Sequence, residues 1–342
     1  MANILLTNKC IRECPYCFAG KEMAGSLEND CISWENVIYL ADFLKASGER
    51  RVSLLGGEPS LHPDFVDILL YFMERGFAVS AFTSGIMSKA KLDDLRKHLD
   101  GVPADRINFV CNLNNPQQTG TPKAETEKLH AFLSALGPWT MPGFNIYRTD
   151  FEMDFLFDLV ERYRLKRRLR VGITHPVPGT PNAAIRVADI GAVIERLCSY
   201  REAFDRLRVI PSLDCGFPQC QLTDTQLGWL ARLSGKVNFK CTPAIDITPE
   251  LDVYCCFPLA SLNRKSIFDF DSYRQVVDYY KRLQARIRLE TPGIYPECEA
   301  CVYRAEGTCA GGGACQLVNR FVDEAPAKLL KIENDRLEAC LS

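Results

Sequence analysis

The spacing of cysteines constrains this chain more than any other feature. Sixteen of its 342 residues are cysteine, against 4 histidines. Three stand close together near the start as Cys10-x3-Cys14-x2-Cys17, and ten follow Pro211. Thiols at that density are either cross-linked or bound to metal. The stretch from Met1 to Cys10 lacks the charged, apolar and cleavable parts of a secretory signal. No run approaches the ~18 apolar residues that span a bilayer. A cytoplasmic location without a membrane partner is therefore expected, and a reducing compartment keeps thiols free. Metal becomes the expected use of so many thiols. Forty-one basic and 43 acidic side chains leave a net charge of −2. That balance argues against a polyanion-binding surface, so no nucleic-acid partner is expected.

The first half alternates between strand and helix patterns. Short apolar runs at 3–7, 51–55, 77–82, 106–113, 143–147 and 170–174 read as strands. Helical patterns lie between them at 33–47, 63–76, 89–99, 124–136 and 151–165, with another over 188–207. Ser33 suits an N-cap, Pro63 a first turn and Gly76 a C-terminal stop. Six such units imply an α/β fold, a parallel sheet curved into a partial (β/α)6 TIM-like barrel. Chemistry in that architecture collects at the C-terminal ends of the strands. Cys10–Cys17, Gly56–Pro59 and Thr83–Gly85 all fall there. The alternation is expected to stop near Pro211. Residues 1–210 then form the barrel, and 211–342 a smaller cysteine-rich domain.

Three thiolates on one short loop can hold three irons of a [4Fe–4S] cluster and leave the fourth iron open to a chelating small molecule. Zinc fits poorly, because structural sites want four protein ligands and no further donor stands near. With its aromatic Tyr16 before the last cysteine, the group Cys10, Cys14, Cys17 resembles the radical S-adenosylmethionine (radical SAM) superfamily. Leu55-Gly56-Gly57-Glu58-Pro59 is similar to that family's GGEP segment. Thr83-Ser84-Gly85 is similar to its T-N-G, with serine in place of asparagine. The resemblance implies that SAM chelates the open iron. Gly56 and Gly57 would receive its amino group on their backbone, Glu58 would offset the ammonium charge, and Ser84 would approach the methionyl or ribose part. It implies a 5′-deoxyadenosyl radical that removes a substrate hydrogen. A flavodoxin- or ferredoxin-like protein would supply the electron.

Cys298-x2-Cys301-x7-Cys309-x5-Cys315 followed by Cys340, with Cys215, Cys220, Cys241, Cys255 and Cys256 upstream, resembles the SPASM extension of radical SAM enzymes. The spacings depart from the usual form, with Leu251 where glycine is expected. The resemblance implies two auxiliary [4Fe–4S] clusters. Cys298, Cys301, Cys309 and Cys340 would hold one. Cys241, Cys256, Cys315 and either Cys220 or Cys215, with Cys220 preferred for its nearness to Cys241, would hold the other. A pair of zinc ribbons is the alternative, since C-x2-C is equally a zinc spacing.

Cys31 and Cys198 read as core fillers. Cys111 ends the fourth strand beside Asn112 and Asn114, and is the candidate donor of a hydrogen atom to a product radical. His62 and His175 read as hydrogen-bonded structural residues. The basic run Arg162–Arg170 reads as a solvated helix end.

The expected function is a radical SAM enzyme that modifies a peptide or protein side chain by cross-linking, epimerisation or oxidation. Because the first strand begins at Asn3, no N-terminal peptide-recognition domain is expected. A dehydrogenase or epimerase of a small molecule such as an amino sugar is the second reading. A non-catalytic zinc-binding scaffold is the alternative of another class.

Overall fold

A computed structural model describes residues 1–20, 30–177, 182–234, 239–242 and 244–318. Its centre is one sheet of ten strands. Seven are parallel in chain order: β1 (Ala2–Leu5), β2 (Arg51–Leu55), β3 (Ala78–Thr83), β4 (Ile107–Asn112), β5 (Thr140–Ile146), β6 (Arg168–Ile173) and β7 (Ile210–Leu213). Helices α1 (Trp34–Ala46), α2 (Phe65–Glu74), α3 (Lys89–Leu99), α4 (Lys123–Leu136) and α5 (Asp154–Arg162) separate the first six strands. The six strand-then-helix units stand as the alternation implied. Ser33 caps α1, its hydroxyl accepting from the Asn36 amide at 3.2 Å.

Two differences concern the later part. The helical pattern over 188–207 is two helices, α6 (Ile190–Ser199) and α7 (Arg201–Leu207). They break at Tyr200, whose backbone leaves helical geometry (ψ 7°). Nor does the sheet end near residue 210. β7 extends it at one edge. At the other, β8 (Ile245–Ile247) pairs parallel to β1, and β9 (Asp252–Cys255) and β10 (Lys265–Ser266) follow antiparallel. The shift in composition marks a change of content, while the hydrogen-bonded sheet crosses it.

Strand register sorts the side chains onto two faces. Val79, Ile107 and Phe109 face the helices, where Phe109 meets Phe132 of α4 edge-on at 5.7 Å. The opposite face carries a row of neighbours, Asp246, Asn3, Ser53, Ser80 and Asn108, which is polar throughout. A parallel sheet covered on both faces reads as continuous apolar strands; this one departs from that rule on its inner face. Asp246 is buried, and that burial lifts its carboxyl to about 7 although Asn3 Nδ2 donates to it at 2.7 Å. The folded chain thus keeps a proton that the unfolded chain releases near pH 4. Between those values the folded state binds more protons, so this residue makes stability fall as pH rises from about 4 to about 7. Asp246→Asn is expected to flatten that slope, measured as the difference in urea midpoint between variant and wild type across the window.

The basic run is not one solvated face. Lys166 turns inward and its Nζ donates to Ala104 O, Ile107 O and Asn108 Oδ1 at 2.9–3.0 Å. Arg170 belongs to the inner face. Among the described residues no helix is long and apolar enough to cross a membrane.

Candidate functional site

β1 ends at Leu5 and the chain runs directly into the three cysteines. The Gly57 amide donates to Thr7 O at 2.9 Å and the Glu58 amide to Lys9 O at 2.7 Å, so the turn after β2 is laced to the cysteine loop. A Cβ on Gly57 would stand 2.2 Å from Lys9 O and 2.8 Å from Cys10 Cβ. On Gly56 it would stand 2.3 Å from Thr7 O. The room these glycines provide is therefore filled by the chain's own cysteine loop, a use that the sequence expectation did not include. The loop closes with the Cys17 amide on Cys14 O at 3.0 Å. Arg12 fastens it to α4 through Glu125, Nε to Oε2 at 3.1 Å. Desolvation first, then the charges of Glu58 and Cys14, raises the Cys10 thiol. Desolvation likewise raises Cys14, against the pull of Tyr16 and Arg12. Cys10 is exposed and Cys14 and Cys17 half-buried, and thiols close enough to oppose each other's charge suit a bound cation, which inverts that repulsion.

Glu58 is 1% exposed and its carboxylate is fully occupied. Oε1 accepts from Thr83 Oγ1 at 2.7 Å and from the Ser60 amide at 3.2 Å. Oε2 accepts from the Ser84 amide at 2.7 Å and from Ser84 Oγ at 2.6 Å. Glu58 thus ties the end of β2 to the end of β3. Serine at position 84 supplies a second donor to this tie. Pro59 opens a buried 3-10 turn, Pro59–Leu61, just behind it. Tyr16 lies against Tyr147, ring centroids 4.9 Å apart, and its hydroxyl donates to Asn114 Oδ1 at 2.7 Å. Beside Tyr16 a cleft of about 190 Å3 is lined by Arg12, Cys14, Tyr16, Asn114, Thr121 and Glu125.

From Tyr16 a polar path crosses the barrel. Asn114 Nδ2 donates to Asn145 O at 3.1 Å, and Arg170 Nη1 donates to Asn145 Oδ1 at 3.2 Å. Arg170 also pairs with Asp214 and lies 5.4 Å from the centre of the Phe82 ring. The sequence expectation left out Asn145 and Asp214 and placed Arg170 on a solvated helix end. Their signal was there: polar residues at alternate positions of strands that the fold should bury on both faces.

Cys111 corrects an expectation. It is wholly buried, in register with helix-facing Thr83 and two residues beyond Phe109. A Cβ on Gly85 would lie 3.0 Å from its sulfur, 2.8 Å from Leu129 and 3.1 Å from Phe132, both of α4. The thiol therefore packs between sheet and helices, on the α4 side of its strand rather than the lumen side. Cys111→Ala is expected to leave turnover unchanged and to cost about 1 kcal/mol of stability, the loss of one small buried group. A chemical denaturation curve beside a turnover assay checks both. His62 is hydrogen-bonded as expected, Nε2 with Ile32 O and Nδ1 accepting from the Asp64 amide, both at 3.0 Å.

The later cysteines form two neighbourhoods. Cys315 is buried and pushed upward by desolvation first, then by Cys215, Cys241 and Cys256. Cys220, by contrast, feels Cys298 and Cys309. The structure thus places Cys215, not the preferred Cys220, with Cys241, Cys256 and Cys315. Nearness in sequence misleads here, because the short turn Gln219–Gln221 carries Cys220 away to the other group. The second neighbourhood is tightly wound. Cys298 lies within the turn Pro296–Ala300 and Cys301 directly follows it, and a Cβ on Gly293 would stand 2.3 Å from Cys298 Sγ. The Gly311 amide donates to Cys309 Sγ at 3.4 Å, and Arg288 holds Ala310 O and Gly312 O. Cys340 lies outside the described residues. Among the described residues, no three Cys, His, Asp or Glu side chains converge on one point as ligands of a single metal ion do. Zinc holds thiolates ~2.3 Å from one centre; a four-iron cluster takes one thiolate per iron and asks for a wider ring.

Comparison with known proteins agrees with this geometry. Residues 4–109 match the Radical SAM superfamily. The family implies a [4Fe–4S] cluster and SAM. The S-adenosylmethionine-dependent nucleotide dehydratase of Selenomonas ruminantium is 37% identical over 127 residues, 34% of this chain and 44% of that protein. The PqqA peptide cyclase of Methylorubrum populi is 33% identical over 122 residues, 33% of this chain and 31% of that protein. The matches thus span less than half the length of these relatives. In fold, the chain is similar to native anSMEcpe with bound AdoMet, at TM-score 0.62 and 14% identity, covering 98% of this chain and 100% of the other. It is also similar to Streptococcus suis SuiB bound to its precursor peptide SuiA, at TM-score 0.55 and 16% identity, covering 79% and 62%.

Proposed function

We propose that this chain is a radical SAM enzyme acting on a peptide or protein side chain, with Cys10, Cys14 and Cys17 as ligands of its SAM-binding cluster. The observation that carries the reading is the cysteine loop itself, docked on Gly56–Gly57 and facing the buried carboxylate of Glu58. Bound SAM and the reduced cluster supply a carbon radical that removes a substrate hydrogen. The chain's own part is to hold and shield. Gly57 and Glu58 fix the loop by backbone hydrogen bonds, and Tyr16, backed by Tyr147, walls the cleft. Glu58 presents a negative charge for the SAM ammonium group, its four partners all being neutral donors. Asn145 and Arg170 line the lumen in which a substrate would sit, dry on the helix-facing side.

Residues 1–210 form the SAM-cleaving part in this reading, and 211–342 a SPASM-like part with two auxiliary [4Fe–4S] clusters. Cys215, Cys241, Cys256 and Cys315 serve one. Cys298, Cys301 and Cys309 serve the other, with Cys220 or Cys340 as fourth ligand. A peptide substrate is favoured by similarity to the PqqA peptide cyclase and to SuiB bound to SuiA. The nucleotide dehydratase match supports a second reading, a small-molecule substrate. Protein purified without oxygen should carry iron and sulfide in cluster proportions and cleave SAM reductively to 5′-deoxyadenosine. Turnover in deuterated solvent then separates reaction types: deuterium gained at carbon marks epimerisation, and a loss of two mass units marks cross-linking or dehydrogenation. A colourless protein holding zinc and no iron would end the reading.

A further inference from the structure

His175 follows β6 at the rim of the barrel, and its place is rigidly set. Thr174 Oγ1 donates to Ile146 O at 2.9 Å, and the Ile185 amide to Thr174 O at 3.1 Å. Asn182 Nδ2 donates to His175 O at 3.1 Å. The imidazole is 4% exposed, yet neither Nδ1 nor Nε2 has a hydrogen-bond partner among the described residues. The structural role expected from sequence needed such a partner. Two buried, unpaired ring nitrogens are costly enough to require a reason.

Gly313 stands between this ring and the Cys315 thiol. The point that a Cβ on Gly313 would occupy lies 3.4 Å from Cys315 Sγ, 3.5 Å from Gln316 Oε1 and 3.9 Å from His175 Nε2. The Gln316 oxygen there already accepts from the Gly313 amide at 3.0 Å. Neutral or protonated, an imidazole carries at least one N–H. Cys315 is the buried member of the neighbourhood it shares with Cys215, Cys241 and Cys256.

The geometry points to His175 as a hydrogen-bond donor to a sulfur of the cluster ringed by Cys215, Cys241, Cys256 and Cys315. This rests on the auxiliary-cluster reading above. Four thiols already stand in the ring, so the histidine is a positioning and tuning residue, not an iron ligand. An N–H aimed at a cluster sulfur favours the more negative, reduced state and raises the reduction potential. The residue thereby sets how readily this cluster accepts an electron.

The test is a redox titration of the anaerobically purified holoprotein, followed by electron paramagnetic resonance, with iron and sulfide counted in parallel. His175→Leu is expected to keep full iron and sulfide. It should move the reduction equilibrium of one auxiliary cluster about tenfold toward the oxidised form, 59 mV for a one-electron step. His175→Gln, which keeps an N–H, should lie between Leu and wild type. Equal potentials in all three proteins would overturn the proposal. So would a loss of iron in His175→Leu, which would mark a ligand. Cys315→Ser separates the two readings: unchanged iron content in that variant would remove the auxiliary cluster itself, whatever His175 does.

Discussion

Serine in place of Cys14 is expected to reduce 5′-deoxyadenosine formation to the background rate, with the fold retained. Cys14 is the central residue of the cysteine loop, and its carbonyl accepts from the Cys17 amide to close the turn. A three-thiolate set has no spare donor, and no fourth cysteine stands near it. Serine conserves shape and the backbone hydrogen bond, so the loop should stay docked on Gly57. A hydroxyl stays protonated and is a poor ligand for iron, whose clusters are held by thiolates. The loss should therefore fall on iron content and SAM cleavage together. Iron analysis, a visible spectrum and a deoxyadenosine assay on one preparation would check it. Full cleavage in Cys14→Ser would sink the assignment. The same substitution at Cys31, paired only by a backbone bridge to Thr7, should leave cleavage intact.

How far the chain could be read beforehand depended on the range of the interactions. Alternating strands and helices are local patterns, and 51–55 and 89–99 stand where periodicity put them. The cysteine loop was equally legible, since its three members share one short segment. Register was not. Asn3 and Asp246 stand side by side although 243 residues separate them, and nothing local to either names the other. The same limit assigned Cys220 to the wrong neighbourhood and turned Cys111 toward the lumen. Which face a strand residue takes follows from its whole row, and Phe109 against Phe132 decides it for Cys111. His175 failed for a related reason. A buried histidine normally finds a partner, and only the assembled surroundings reveal that this one has none among the described residues.

Glu58→Leu is expected to destabilise the fold by about 3–5 kcal/mol, the scale of breaking a buried charged network. Four donors converge on this carboxylate: Thr83 Oγ1, Ser84 Oγ and the Ser60 and Ser84 amides. A carboxylate accepts only, and its two oxygens match four donors without conflict. Leucine would leave them without an acceptor; Thr83 is 2% exposed and cannot turn to water. Gln keeps the shape but sets an amide N–H against one donor pair, so Glu58→Gln should cost less, about 1–3 kcal/mol. The effect should be centred on the tie between β2 and β3. Hydrogen exchange at the Ser84 and Gly85 amides should speed up in both variants, because Gly85 donates to the Thr83 hydroxyl at 3.0 Å. The charge adds a second consequence. Lys91, the cation whose own state Glu58 influences, is already engaged with Ser60 O and His62 O at 2.6 and 2.5 Å. Among the described residues Glu58 has no ion-pair partner, and its charge raises the Cys10 thiol. Glu58→Gln, which removes the charge but keeps most of the tie, should weaken SAM binding more than it weakens the fold. A SAM titration of the reconstituted variant beside its urea midpoint would separate the two. Unchanged SAM affinity with a lowered midpoint would make Glu58 a purely structural tie.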